Sequence, residues 1–495
     1  MNKQLRHVSV FALILLAVLI GATTYWQMWA KADLAARKDN SVSLIERLTV
    51  DRGKILAADG TVLANNRKTR KHGLTIYSRH YPQNDLASQV IGYATNVGTT
   101  TGLEQTLDDY LTGANTNLTN TFTQELDKLG GQTVHGDNVI LTLRPDIQRI
   151  AQDQLAGRCG AVVVLDTRTG AVVAMASSPT YNANLMVQPN GYNKVKKIKG
   201  SCGDASALQN NATLGLYPPG STFKMVTAAA ALDSGAYTPS SPFSDPGYCT
   251  EYGQRVSNAG NPDQNGPEAF GNVSLAQGFE HSINSVFCNI GKHIGGLKIL
   301  DYAKKFGFYS PPPLETPPDT INASGLYKNG KLWTPTSNSQ IDSGRLAFGQ
   351  YNMLATPLQM ALVGATIANK GVLPKPYLVQ KVVAADGSTV TKTAPQTLGQ
   401  AVKPQTAAEL NQMMQLVVQS GTGTSAQIPG VPVAGKTGTA ELGLGSVYDA
   451  WFVAFAPANN PRYAVAVVVA KQLNGFGGSI SAPIARTILE RLLAR

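Results

Sequence analysis

Tyr217-Pro218-Pro219-Gly220-Ser221-Thr222-Phe223-Lys224 is the stretch from which the rest of the 495-residue chain is read. It contains the only Ser-x-x-Lys of the sequence. Pro and Gly just ahead of Ser221 signal a helix start. The residues that follow, Met225-Val226-Thr227-Ala228-Ala229-Ala230-Ala231-Leu232, are apolar on most sides, which predicts a buried helix. Residues three apart share a helix face. The spacing therefore sets the Ser221 hydroxyl beside the Lys224 amine on the first turn, where backbone N–H groups lack intrahelical partners. A serine hydroxyl is a poor nucleophile until a neighbouring base takes its proton, and a lysine held neutral can be that base. Alone, the motif says no more than an N-capping serine and an ordinary surface lysine.

Two downstream motifs change its weight. Ser282-Ile283-Asn284 and Lys436-Thr437-Gly438-Thr439 are each the only instance of their pattern. Separately they read as a turn or helix cap and as an edge strand with its turn. In this order the three motifs resemble the penicillin-recognising serine transferases. The flanks extend the resemblance through Ala347-Phe348-Gly349-Gln350, Thr356-Pro357-Leu358-Gln359-Met360-Ala361, Gly421-Thr422-Gly423, Ala450-Trp451-Phe452 and Phe455-Ala456-Pro457. Upstream, the Asp51-Arg52-Gly53 run, Tyr81-Pro82, Val90-Ile91-Gly92-Tyr93, Thr101-Gly102-Leu103-Glu104 and Leu111-Thr112-Gly113 are similar to the N-terminal module of class B penicillin-binding proteins. The match is nearest to the short, monofunctional actinobacterial A type, and covers nearly the whole chain after its apolar start. Two places depart from the family pattern: Asn210-Asn211-Ala212, where many relatives have Asn-Arg-Ala, and Tyr351, where many have Gly.

The resemblance implies a peptidoglycan D,D-transpeptidase that cross-links stem peptides through an acyl-serine and is blocked by β-lactams. It implies that Ser221 attacks the carbonyl between two D-alanines. Lys224 acts as base, its pKa lowered by burial and by the charge of Lys436. Ser282, with Lys436 beside it, relays a proton to the leaving amine. Asn284 holds the substrate amide and the Lys224 side chain. Thr437, Gly438 and Thr439 complete the strand that receives the substrate and its carboxylate. Backbone N–H groups of Ser221 and Thr439 form the oxyanion hole. No metal or cofactor enters. A Ser–His pair between Ser282 and His281 is disfavoured because helix neighbours do not share a face, and Glu441 reads as structural.

The fold expected is α+β: an antiparallel sheet with helices on both faces, an N-terminal pedestal and one transmembrane helix. Residues 8–29 are nearly all apolar, long enough to span a bilayer, with Tyr25, Trp26 and Trp29 as an interfacial belt. A signal peptide is the competing reading, disfavoured by the length and the lack of a small-x-small site. Basic residues on both flanks leave the orientation open; the resemblance implies that residues 1–7 are a cytoplasmic tail, 30–137 a non-catalytic pedestal of the dimerisation type, and 138–495 the extracytoplasmic catalytic domain. The stretch 30–137 is too short for a glycosyltransferase domain. In the pedestal, Asp59-Gly60 between apolar runs predicts a hairpin. In the catalytic domain, residues 161–166 and 171–176 form a hairpin about Thr167-Arg168-Thr169-Gly170. Strands at 433–440, 450–456 and 463–470 rejoin that sheet. Ser481-Ala482-Pro483-Ile484 opens a closing helix with Pro in its first turn. No further wall-binding module is expected after Arg495.

Charged residues make up 15% of the chain and the net charge is +11. Nothing interleaves basic and aromatic residues as a nucleic-acid partner requires, so the charge reads as solvated surface. Lys194-Val195-Lys196-Lys197-Ile198-Lys199 is its densest point, expected to be an exposed loop near the cleft. Four cysteines, Cys159, Cys202, Cys249 and Cys288, allow three pairings that sequence does not separate. A β-lactamase is disfavoured because no water-activating Glu-x-x-Leu-Asn occurs. A D,D-carboxypeptidase, with water as acceptor, and a penicillin-binding scaffold or sensor of the division machinery stay as alternatives. Proteins of a division or elongation complex are candidate partners, and the sequence does not name them.

Overall fold

The computed structural model describes residues 2–28, 48–71, 73–114, 133–203, 206–259, 268–443 and 445–494. Five strands form the central sheet of the larger domain. Their spatial order is Ala434–Glu441, Val447–Ala456, Tyr463–Leu473, Gly160–Asp166, Val172–Ser178. Every neighbouring pair is antiparallel, so the first and last segments of the domain meet in one sheet, as the apolar runs predict.

Apart from the edge strand Ala434–Glu441, these strands are apolar over most of their length because both faces are covered. Val162, Val164, Phe452, Ala454, Val465 and Val467 pack on one side with the helices Pro145–Leu155 and Gly477–Leu493. The alternating residues Ala161, Val163, Val453, Phe455, Ala464 and Ala466 face the other side. There they meet the helix Pro357–Ala368 and the large cluster that includes the Lys224–Asp233 helix.

Two local expectations are corrected. The closing helix starts at Gly477, and Pro483 lies inside it. The two glycines at 477 and 478 read as loop in sequence, but the helix start is pressed onto the sheet: a Cβ at Gly477 would sit 2.1 Å from the Trp451 carbonyl oxygen. The lysine-rich run is partly helical, over Gly191–Lys196, with Val195 fully buried while Lys194, Lys196 and Lys197 are exposed. Burial of Val195 and of Gly191 organises a stretch whose charge suggested a loop. The cysteines pair as Cys159–Cys202 and Cys249–Cys288.

A second sheet has six strands in the order Thr389–Lys392, Val379–Val383, Asn138–Leu141, Ile55–Leu56, Val62–Lys71, Leu74–His80. Ile55–Leu56 returns antiparallel to Val62–Lys71 across the Asp59-Gly60 turn. Asn138–Leu141, expected to open the second domain, runs parallel to Ile55–Leu56 on one side. On its other side it is antiparallel to Val379–Val383, from deep in the catalytic segment. One ladder therefore contains strands of both.

The helix Asn2–Met28 is long and apolar enough, over Arg6–Trp26, to cross a membrane. Tyr25 and Trp26 stack edge to face near its end, and Trp29 lies outside the described residues.

The pedestal is pinned by a charge cluster. Glu104, fully buried, accepts from Arg79 Nε at 2.6 Å and Arg52 Nε at 2.9 Å. Burial pushes the Glu104 carboxyl up, but the two guanidiniums outweigh this and hold its pKa below the usual range. Removing one partner of a buried ion pair strands the others, at a cost of about 3–5 kcal/mol. Glu104→Ala is accordingly expected to lower stability by roughly that amount in urea unfolding.

Candidate active site

Ser221 sits on a short 3₁₀ turn, Gly220–Phe223, that leads directly into the α-helix Lys224–Asp233. The turn is held from several sides. Gly220 N–H donates to the Gly349 carbonyl at 3.2 Å. Trp451 Nε1 donates to the Pro218 carbonyl at 2.9 Å, and Tyr217 stacks edge to face on the same indole. Thr222 Oγ1 donates to the Pro219 carbonyl at 2.7 Å. The Ala347-Phe348-Gly349 and Ala450-Trp451-Phe452 runs thus brace the segment that carries Ser221. Ser221 is half-buried, and its hydroxyl makes no hydrogen bond among the described residues.

Lys224 lies three residues on, fully buried. Its Nζ donates to the Ser282 carbonyl at 2.6 Å and to Asn284 Oδ1 at 2.9 Å, and lies 3.3 Å from Ser282 Oγ. Lys436, also fully buried, donates from Nζ to the same Ser282 Oγ at 2.9 Å. Two predicted lysines, from two separate motifs, therefore converge on the hydroxyl of the third motif. Phe287 and Phe279 lie beneath the two ammonium groups, at 5.2 and 5.6 Å from the ring centres.

The electrostatics follow from this packing. Burial, and then the charge of Lys436, hold the Lys224 pKa well below its ordinary value. Burial pushes Lys436 down to about 7. Neither is ion-paired among the described residues, so each ammonium is stabilised by neutral oxygens and aromatic faces alone.

Ser282 adopts φ +59°, a left-handed conformation that is rare for a residue with a side chain. The bend is fixed by the bond from Ile283 N–H to the Gly278 carbonyl at 2.8 Å. It lets Ser282 present both its carbonyl and its hydroxyl to Lys224. His281 points elsewhere, stacking on Phe270 at 5.3 Å.

On the opposite wall Lys436, Thr437, Gly438 and Thr439 lie in the edge strand Ala434–Glu441. Gly438 is required there: a Cβ would come within 2.9 Å of both the Pro219 carbonyl oxygen and Thr222 Cγ2. Thr437 Oγ1 shares a hydrogen bond of 2.6 Å with Thr422 Oγ1. Thr439 Oγ1 accepts from the Gly477 N–H at 3.3 Å. Thr422 belongs to the Gly421-Thr422-Gly423 run, so that flank abuts the strand. Tyr351 has φ +57°, a conformation that glycine adopts without strain; here the phenol donates to the Gln340 carbonyl at 2.8 Å.

A supporting network behind Asn284 was invisible to motif reading. Asp245, almost fully buried, accepts from Ser285 Oγ at 2.5 Å and from Asn258 Nδ2 at 2.8 Å. It also accepts from the backbone N–H groups of Gly247 and Phe270, each at 2.9 Å. Asn258 Oδ1 in turn accepts the Ser285 N–H at 2.9 Å. Asn284 Nδ2 donates to the Ser257 carbonyl at 3.0 Å. The hairpin carrying Ser257 is tied to the helix Asn284–Ile294 by the Cys249–Cys288 bridge. The only sequence signal was a pair of cysteines of unknown pairing.

A hydroxyl shared by two lysines whose charges burial disfavours, beside an unengaged serine, equips a protein for acyl transfer. That is the class the fold and cleft define. The penicillin binding protein transpeptidase domain family matches residues 160–490, and the chain belongs to it. The penicillin binding protein A dimerisation domain matches residues 52–139. The peptidoglycan D,D-transpeptidase PbpA of Mycolicibacterium smegmatis is 34% identical, over 100% of this chain and 99% of the relative. Penicillin-binding protein A of Mycobacterium tuberculosis, solved as a penicillin G acyl-enzyme complex, is similar with a TM-score of 0.74. It is 33% identical, covering 90% of this chain and 100% of that one. Its imipenem acyl-enzyme complex gives a TM-score of 0.78 at 32% identity, over 91% and 100% of the two chains.

Asp245→Ala leaves the Ser285 hydroxyl, the Asn258 amide and two backbone N–H groups without their acceptor. Misplacing a reacting group by about 1 Å costs on the order of 10²-fold in rate. Acylation by a fluorescent penicillin is expected to slow by roughly 10- to 100-fold in this variant. Asp245→Asn, which retains one acceptor oxygen, is expected to fall between it and the parent.

Proposed function

We propose that the protein is a membrane-anchored serine D,D-transpeptidase that cross-links peptidoglycan stem peptides. The observation that carries this reading is the convergence of two fully buried lysines on the Ser282 hydroxyl, with Ser221 one turn ahead of Lys224. The acyl-enzyme complexes of the penicillin-binding protein A relative support it.

Ser221 Oγ attacks the carbonyl between the two terminal D-alanines of a donor stem. Neutral Lys224 takes the hydroxyl proton. The tetrahedral oxyanion is held by the backbone N–H groups of Ser221 and Thr439, where each donor contributes about 3–4 kcal/mol. The C–N bond breaks, and a proton passing by way of Ser282, with Lys436 beside it, leaves with the departing D-alanine amine. An amine from a neighbouring stem then attacks the acyl-serine, and Ser221 regains its proton as the cross-link forms. Asn284 steadies the donor amide and Lys224. Lys436, Thr437 and Thr439 receive the terminal carboxylate, and Gly438 keeps the strand close to the Ser221 turn.

We place residues 8–29 in the membrane and 1–7 on the cytoplasmic side. The pedestal, 30–137, then carries the catalytic domain, 138–495, on the outer side. The two disulfides support that placement, since such bonds persist in oxidising compartments. Partners from the division or elongation machinery would meet the protein there.

The first test is intact-mass spectrometry of the protein with penicillin G. A stable adduct absent in Ser221→Ala and Lys224→Ala variants is expected. Prompt release of hydrolysed drug would point to a β-lactamase, and no adduct at all to a scaffold. With a stem-peptide donor, cross-linked product in the presence of an amine acceptor separates transpeptidation from release of the free acid, the carboxypeptidase outcome.

The pH dependence has a definite sign. Lys224 works when neutral, so acylation rises as pH climbs through its lowered pKa. Lys436 is charged below about 7 and loses its attraction for a carboxylate above it. The second-order acylation rate is therefore expected to peak near neutrality and decline on both sides. A rate that keeps climbing to pH 10 would exclude a charged Lys436 from substrate capture.

A further inference from the structure

The strand pair Val62–Lys71 and Leu74–His80 leaves the body of the pedestal at Asn66. Leu63 and Ala64 are buried, whereas every residue from Arg67 to Lys71 is exposed. The ladder nonetheless continues outward from Arg67↔Ser78 to Lys71↔Leu74. At about 3.4 Å per residue the free part projects by roughly 15 Å. An isolated two-stranded ribbon is marginal in water, so this projection gains from a surface to lie on.

Its chemistry says which kind of surface. Arg67, Lys68, Arg70 and Lys71 follow one another on the outer part of one strand, and no acidic residue occurs between Asp59 and Asp85. None of the four makes an ion pair among the described residues. Arg67 instead touches the His80 ring nitrogen at 2.7 Å, and Lys68 lies 6.0 Å from the Tyr77 ring centre. Opposite Lys71, at the tip, Leu74 is 47% exposed. An apolar side chain flanked by cations that make no ion pair among the described residues suits the boundary between acyl chains and anionic headgroups.

The path of the chain puts such a surface within reach. Asn66, at the root of the projection, donates to Asp51 Oδ1 at 2.7 Å and to the Arg52 carbonyl at 2.6 Å. The chain arriving from the N-terminal helix is thus fastened where the ribbon departs. Residues 29–47, which link the two, span at most about 65 Å.

We propose that the outer part of this ribbon docks on the anionic lipid headgroups of the membrane that holds the N-terminal helix. Arg67, Lys68, Arg70 and Lys71 meet lipid phosphates, and Leu74 enters the interface. The inference rests on the anchor reading above. Each basic residue near an anionic surface strengthens association roughly fivefold at moderate salt.

The test uses the full chain reconstituted in nanodiscs of phosphatidylcholine, with and without anionic phosphatidylglycerol, read by amide hydrogen exchange. Exchange in peptides covering Arg67–Lys71 and Leu74–Ser78 is expected to slow at least about fivefold in the anionic discs only. The protection should vanish in the R67Q/K68Q/R70Q/K71Q variant and in high salt, with penicillin acylation unchanged. Failure to co-elute with either disc would overturn the anchor reading itself. Co-elution with equal exchange in both discs would overturn the docking proposal alone. So would protection that tracks protein concentration, the mark of a second copy, or that a soluble polyphosphate produces equally in neutral discs.

Discussion

Two ammonium groups, both out of contact with solvent and neither ion-paired among the described residues, meet at the Ser282 hydroxyl. Withdrawing a single such ion from water costs several kcal/mol, and a second beside it adds repulsion. The chain meets this constraint by giving up charge. Lys224 is driven towards its neutral form, and Lys436 is brought to the edge of neutrality. An ordinary surface lysine would hold its proton through the whole physiological range and leave Ser221 inert. The site is therefore a product of burial, and the sheet, the helices and the aromatic floor serve it by keeping water out.

That arrangement needs rigidity, which comes from distant parts of the sequence. Ser282 is kept in a left-handed conformation so that two of its oxygens face Lys224. Asn284 is steadied from behind by Ser257, whose hairpin a disulfide joins to the helix that Asn284 begins. Asp245 gathers four donors, two of them backbone N–H groups, and fixes the first turn of that helix through Ser285. Across the cleft, Trp451 and Gly438 let the edge strand close on the Ser221 turn.

What was legible in the sequence was what is local. Ser221 and Lys224 share a helical turn, Ser282 and Asn284 flank one residue, and Lys436 to Thr439 are consecutive, so spacing alone proposes their chemistry. The sheet could be read because strands covered on both faces must be apolar throughout. The rest depended on contacts between segments far apart. Asp245 lies in no pattern that distinguishes it from a turn residue. The start of the last helix was hidden because two glycines signal a loop unless one knows that the Trp451 and Thr422 carbonyls lie against them. The lysines at 194–199 concealed a helix anchored by Val195 and Gly191. The cationic ribbon passed unnoticed for a similar reason: only burial reveals that its bases stand clear of the body.

The strand Asn138–Leu141 is hydrogen-bonded on one side to the pedestal and on the other to a strand some 240 residues later in the chain (Val379–Val383). Side-chain interfaces between domains can slide or part; a backbone ladder shears only by breaking its bonds together. The pedestal therefore behaves as a strut continuous with the enzyme it bears. A push or turn delivered to its base is conveyed to the far module as a whole, without a swivel where the polypeptide passes between them. Such a strut fixes the standoff of the Ser221 cleft. With the N-terminal helix in the membrane as proposed, which layer of the surrounding polymer the enzyme can stitch is then decided by the height of a β-sheet.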